Sequence, residues 1–105
     1  MNEQATSTEA REALVERILD GPGKAPEEQR RAAFDNARLA GPLAILIDKV
    51  AKHAHRVTDE DVAAVRAAGL TEDQIYELVI CAAVGQAQRQ LEAALSALST
   101  ATSGR

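Results

Sequence analysis

The side chains best suited to chemistry lie between residues 52 and 61, where two histidines precede a group of carboxylates. The basic members are Lys52, His53, His55 and Arg56, and the acidic members are Asp59, Glu60 and Asp61. An imidazole can move a proton near neutral pH, and an arginine or lysine can hold a carboxylate. This pattern makes His53, His55 and Asp61 the candidate catalytic residues, beside a cationic group that could bind a small anion.

A simpler interpretation of the same segment competes with catalysis. Residues two apart on a helix point about 200° away from each other, so His53 and His55 cannot line one cavity unless the helix ends there. They also lack the i, i+4 spacing of a helical metal site, and the sequence predicts neither a metal nor a cofactor. The alternative is a solvated basic helix end, favoured by the helix dipole. A histidine meeting a carboxylate in an enclosed cavity would favour an enzyme, and exposed imidazoles would favour the simpler interpretation.

Two further polar groups fall inside a long apolar pattern near the carboxyl end. Cys81 lies between apolar and small residues, away from any helix amino terminus that would lower its pKa, so we expect a small core residue and not a nucleophile. As the single cysteine it cannot form an internal disulfide, which is compatible with a reducing, cytoplasmic location. Gln86 falls on the apolar stripe, where it needs hydrogen-bond partners from packing, a neighbouring subunit or a ligand.

The composition predicts one small domain with a thin core. The chain has 105 residues, 46% of them hydrophobic, yet alanine is the commonest of these and Phe34 and Tyr76 are the only aromatic residues. Small side chains bury little apolar area per residue, at about 25 cal/mol per Å². We therefore expect residues 1–105 to form a single helical domain that gains further burial in a homo-oligomer, through its Ala-rich helix faces.

Charge and hydropathy exclude several classes of partner. The net charge is −4, which argues against nonspecific binding to nucleic acid or to anionic membranes. The two helices around Gly69 have the outline of a DNA-binding helix-turn-helix, but the first turn of the second helix would present Glu72, Asp73 and Glu77 to phosphates. No segment has the order of a signal peptide or the length of a membrane span. We expect neither a nucleic-acid nor a membrane partner.

The hydrophobic spacing predicts an all-α fold of about five helices, because no segment alternates with period two. The first helix runs from a capping box of Thr6 and Glu9 to about Asp20, and the second from Pro26 to about Ala40. Gly41 and Pro42 begin a third, whose basic end is the segment 52–57. Residues 1–6 and 99–105 are expected to be disordered.

Two capping signals frame a glycine hinge in the second half of the chain. Thr58 with Asp61 begins a short fourth helix, and Gly69 is placed to adopt positive φ just after it. Thr71 with Gln74 begins the fifth helix. Gly85 interrupts the apolar pattern, so the segment is either one long helix that could bend at this point or two helices that meet near Gly85 and Gln86.

From about Leu46 to Leu95 the chain resembles the carboxymuconolactone decarboxylase and alkylhydroperoxidase-D (AhpD-like) superfamily. The matching elements are a core helix, a short helix ending in AAG, and the segment TEDQIYELVICAAV. The resemblance implies an AhpD-like helical bundle with its core at about 42–98. In thiol-dependent members a Cys-x-x-Cys-x-x-x-His run precedes the hinge glycine, and its three positions correspond here to Ala54, Val57 and Asp61. Since the cysteine pair and the histidine are absent, dithiol peroxidase activity is not expected.

Two functions of different class remain open. The first is a noncatalytic, homo-oligomeric AhpD-like protein that serves as an accessory or small-ligand-binding subunit. The second is a decarboxylase-like acid-base enzyme for a small organic acid, since the decarboxylating branch of the superfamily works without paired thiols. In the enzyme, His55 or His53 would move the proton, and Arg56 or Lys52 would hold the carboxylate. The first is favoured.

Overall fold

The computed structural model describes the backbone of residues 3–103 and the side chains of residues 8–103. Within this range it contains five α-helices, one 3₁₀ turn and no strand, which confirms the all-α prediction. The helices are α1 (Glu3–Asp20), α2 (Glu27–Asp35), α3 (Gly41–Lys52), α4 (Asp59–Ala67) and α5 (Glu72–Ser103), and the 3₁₀ turn is Ala54–Arg56.

Both ends of the described chain are more helical than the sequence indicates. Helix α1 begins at Glu3, so Thr6 lies inside the helix and not at its N-cap. Helix α5 continues to Ser103, although residues 99–105 were expected to be disordered. Extending an existing helix adds one hydrogen bond per residue and requires no new nucleus, so polar residues next to a formed helix can join it. Residues 1, 2, 104 and 105 lie outside the described range.

Helix α2 is shorter than predicted because Asn36 terminates it. Asn36 has a left-handed backbone with φ of 51°, a conformation that asparagine tolerates better than most residues. The N–H of Ala37 then donates to the carbonyl of Ala32 at 3.0 Å, which closes the helix end. The Asn36 side chain donates to Asp48 of α3 at 3.0 Å. This bond ties the end of α2 to the next helix.

The hinge around Gly69 has the local geometry predicted from its residue types. Thr58 and Asp61 form a reciprocal capping box at the start of α4. Gly69 has φ of 109°, in the left-handed region that favours glycine. The Thr71 hydroxyl accepts from the N–H of Gln74 at 3.1 Å, and the Gln74 side chain accepts from the N–H of Thr71 at 2.9 Å. All three predictions are confirmed.

The capping box of α4 allows a stability prediction. Thr58→Ala removes the hydroxyl that accepts from the Asp61 N–H at 3.2 Å, and we expect a loss of about 1 kcal/mol in the free energy of unfolding. Urea denaturation followed by circular dichroism measures this loss. Thr58→Ser keeps a hydroxyl and is the matched control, so equal stability of the two variants would show that the cap contributes nothing.

The core lies where α2, α3 and α4 meet the first half of α5. Its largest fully buried side chains are Leu46, Ile47, Val65, Leu78 and Cys81. Helix α2 makes the most extensive contact with α5, and α1 packs against both at the edge. The core is therefore supplied mainly by aliphatic residues of α3 and α5, with alanines where α2 approaches.

Helix α5 is one continuous helix through Gly85, which selects the first of the two predicted alternatives. Gly85 lies against the end of α2, where a Cβ atom would stand 2.8 Å from the carbonyl carbon of Phe34 and closer still to its oxygen. Beyond this contact α5 leaves the bundle. The molecule measures 54 × 28 × 21 Å, and its radius of gyration of 16.0 Å exceeds the value of about 13 Å for a compact domain of this length.

Candidate functional site

The two histidines lie where α3 ends, and both side chains are exposed. His53 is the C-cap residue of α3 and His55 belongs to the 3₁₀ turn. Their rings meet edge to face with centroids 6.2 Å apart. Neither imidazole forms a hydrogen bond or ion pair with a carboxylate of residues 8–103, and His53 contributes only a weak electrostatic attraction to Asp48. The structure therefore brings the histidines together without enclosing them.

Asp61 is bonded to Lys49 and Thr58 and not to either histidine. Lys49 of α3 donates to both of its carboxylate oxygens, at 2.9 and 3.0 Å, and the backbone N–H of Thr58 donates at 2.9 Å. The bond from Lys49, and then that from Thr58, hold the pKa of the Asp61 carboxyl below its usual range. Its geometry suits a structural link between α3 and α4, because all of these donors fix a charged carboxylate.

The positions that the AhpD-like resemblance pairs with a thiol motif do not form a reactive centre. Ala54 is exposed in the 3₁₀ turn, Val57 is half-buried behind it, and Asp61 caps α4. None of these side chains can act as a nucleophile toward a peroxide or disulfide. This segment therefore supplies the connection between α3 and α4.

Cys81 is a buried residue of the core, as the sequence predicts. Its Sγ atom lies 3.7 Å from the carbonyl oxygen of Ile18, which ties the first half of α5 to the end of α1. Burial raises the pKa of the Cys81 thiol, so the thiolate needed for nucleophilic attack is disfavoured.

Gln86 is accounted for by a partner that the sequence analysis did not identify. Its side-chain oxygen accepts from Arg89 at 3.0 Å, and Arg89 also donates to the carbonyl of Phe34 at 2.6 Å. The i, i+3 spacing of Gln86 and Arg89 was a sequence signal for this pair. Together they satisfy the carbonyl at the end of α2, just beside Gly85. Gln86 thus has an internal role in helix packing.

The second feature missed from the sequence is a buried arginine at the opposite end of α2. Arg30 is only 7% exposed and donates to the carbonyls of Gly21 at 2.7 Å and Ile18 at 3.3 Å. It lines a cavity of about 220 Å³ between α1, the α1–α2 loop and α5. Its burial had no signal in the sequence, where Arg30 stands in a run of charged and polar residues.

The described residues contain no group of three or more side chains with the chemistry and proximity to hold a metal ion. No helix in the described range combines the length and apolarity needed to cross a bilayer. The chain matches no protein-family model, and comparisons with curated proteins and with solved structures give no match either.

Proposed function

We propose that this chain is a noncatalytic, homo-oligomeric helical protein of AhpD-like arrangement that serves as an accessory or small-ligand-binding subunit. The observation that carries the proposal is the exposure of leucines in the second half of α5, residues 88–103, which we call the free half of α5. Leu91, Leu95 and Leu98 are 38%, 49% and 64% exposed on a helix that has left its own bundle. Exposed leucines in one row are typical of a surface that another protein covers.

The spacing along the free half of α5 is that of a helix-pairing surface. Gln88, Leu91, Leu95, Leu98 and Thr102 alternate in steps of three and four residues, and we call these five residues the α5 seam. This is the heptad pattern with which two helices interlock. Residues 90–103 contain Glu92 as their only charged side chain. A helix that stands alone in water is usually more highly charged, so the composition supports burial against a second copy.

The accessible surface of the protomer supports the same proposal. It is 7141 Å², whereas a compact monomer of 11.1 kDa has about 5,700 Å². The excess is larger than the roughly 800 Å² that each partner buries in a standard protein interface. Pairing of α5 would therefore supply the burial that the alanine-rich core lacks.

The geometry of the histidines gives no support to the acid-base enzyme. General acid-base catalysis requires an imidazole positioned within hydrogen-bond reach of the reacting group. His53 and His55 are exposed, and Asp61 is bonded to Lys49 and Thr58.

The AhpD-like arrangement itself is supported by the order of core helix, short helix, Gly69 turn and long helix. A cytoplasmic location is also proposed, on the basis of the single reduced cysteine.

Light scattering tests the assembly proposal directly. In dilute buffer at micromolar concentration we expect a mass of at least twice the 11.1 kDa of the protomer, because an apolar helix surface of this length is stabilised by association. A stable species with the mass of one protomer would contradict the proposal.

A further inference from the structure

A buried charged residue without a direct ion pair lies at the junction of α1, α2 and α5. Arg30 is 7% exposed, and its guanidinium forms no ion pair with any carboxylate in the described part of the chain. One terminal nitrogen donates to the carbonyls of Ile18 and Gly21, and Nε is buried with no partner among the described residues. Arginines are almost never buried unless they are paired, because removing the charge from water is costly.

The buried guanidinium lines the cavity of about 220 Å³, which we call the Arg30 cavity. Its lining residues are Arg17, Ile18, Pro22, Arg30, Glu77 and Ile80. One part of the lining is therefore cationic, and another is apolar. The volume is below the range of about 300–1,000 Å³ that is usual for drug-sized ligands, so the occupant must be small.

Glu77 lies near the guanidinium but forms no ion pair with it, because its carboxylate oxygens are held by backbone N–H groups. One oxygen accepts from the backbone N–H of Lys24 at 2.8 Å, and the other accepts from the N–H of Ala25 at 2.8 Å. These bonds hold the α1–α2 loop against α5. Two arginines and one carboxylate leave the lining with an excess positive charge, which favours an anion.

We infer that the Arg30 cavity binds a small monocarboxylate with an apolar body. Arg30 and Arg17 hold the carboxylate, since guanidinium N–H groups match its oxygens in geometry and charge. Ile18, Pro22 and Ile80 contact the apolar body, which distinguishes such a ligand from a hydrated inorganic anion. The inference rests on the ligand-binding part of the proposed function and is independent of assembly through the α5 seam.

The test is a ¹H–¹⁵N NMR titration of the full chain with benzoate. We expect amide shifts concentrated at the end of α1, in the α1–α2 loop and around residues 77–81. Benzamide has the same size without the charge, and inorganic phosphate has the charge without the apolar body. Both should bind at least about tenfold more weakly, because benzamide loses a charge-assisted hydrogen bond and phosphate loses the burial of the ring. Absence of saturable shifts with benzoate, or equal binding of benzamide or phosphate, would overturn the inference.

A pair of variants locates the site on the protein. Arg17→Gln removes one cavity cation at an exposed position, and we expect the benzoate Kd to rise about tenfold. Arg11→Gln makes the same charge change on the same helix outside the cavity lining and should leave the Kd unchanged. Equal weakening by both variants would indicate only a long-range charge effect and would overturn the site. Ile80→Phe, which fills the cavity without changing charge, should abolish binding, and retained binding would contradict the proposed location.

The same samples separate this inference from the assembly proposal. Light scattering reports mass, and the titration reports binding, so the two results are independent. A monomer that binds benzoate would overturn assembly and support the site. An oligomer that does not respond to benzoate would support assembly and overturn the site.

Discussion

Gly85→Ala should destabilise the protein by at least about 2 kcal/mol and lower its thermal midpoint by roughly 10 °C. The reason is the close approach of α5 to the end of α2, where the added Cβ would overlap the carbonyl group of Phe34. Backbone cannot rotate away as a flexible side chain can. The shift would also displace the Phe34 oxygen from Arg89, which donates to it at 2.6 Å. Thermal and urea unfolding followed by circular dichroism measure the loss.

The expected change in the free energy of unfolding has the opposite sign to the change that helix propensity predicts. In an ordinary helix interior alanine is more stable than glycine by about 1 kcal/mol, so helix propensity alone predicts that Gly85→Ala stabilises. Ala83→Gly, at an exposed position of the same helix, is the reciprocal control and should cost about that ordinary amount. If Gly85→Ala proved neutral or stabilising, α2 and α5 could not approach as closely as the structure shows.

Leu95→Glu should convert the assembly to a monomer of 11.1 kDa while leaving its helix content unchanged. Within one protomer Leu95 is exposed, so the substitution should alter protomer stability by no more than about 0.5 kcal/mol. In a paired α5 seam the same carboxylate would be buried against leucines, and burying an unpaired charge costs several kcal/mol. Light scattering across a concentration series gives the mass, and circular dichroism gives the helix content.

Ala93→Glu is the matched control for this experiment. It adds the same charge two residues away, on the opposite face of the same helix, and both positions are exposed in the protomer. We expect the Ala93 variant to retain the mass of the unmodified protein. Dissociation by both substitutions, or by neither, would show that the seam is not the contact surface.

Elements that depend on neighbouring residues were predictable from the sequence. The capping boxes of Thr58 with Asp61 and Thr71 with Gln74, and the positive φ of Gly69, each follow from residue types no more than three positions apart. The end of α2 was not predicted, because Ala37 and Leu39 continue a helical pattern. Asn36 could end the helix early because its left-handed backbone is reinforced by Asp48, twelve residues away.

The candidate catalytic residues were identified by type, and their environment could not be predicted. His53 and His55 were proposed either as catalysts or as a solvated helix end, and the choice depended on whether other helices would cover them. The structure leaves both exposed. Asp61 was proposed as a third member, but Lys49 approaches it from α3. Local spacing could not reveal that approach, which depends on the packing of α3 against α4.

By itself, the sequence determined that this chain is helical, that most of its helices begin at their capping or proline signals, and that its core is rich in small residues, because periodicity and capping act over a few residues. Only the tertiary structure decided which polar groups are enclosed. Glu77 reaches the loop at Lys24 across 53 residues, and Arg89 reaches Phe34 across 55. Such contacts depend on how whole helices pack, so the burial of Arg30 and the exposure of the α5 seam emerge only in the folded chain.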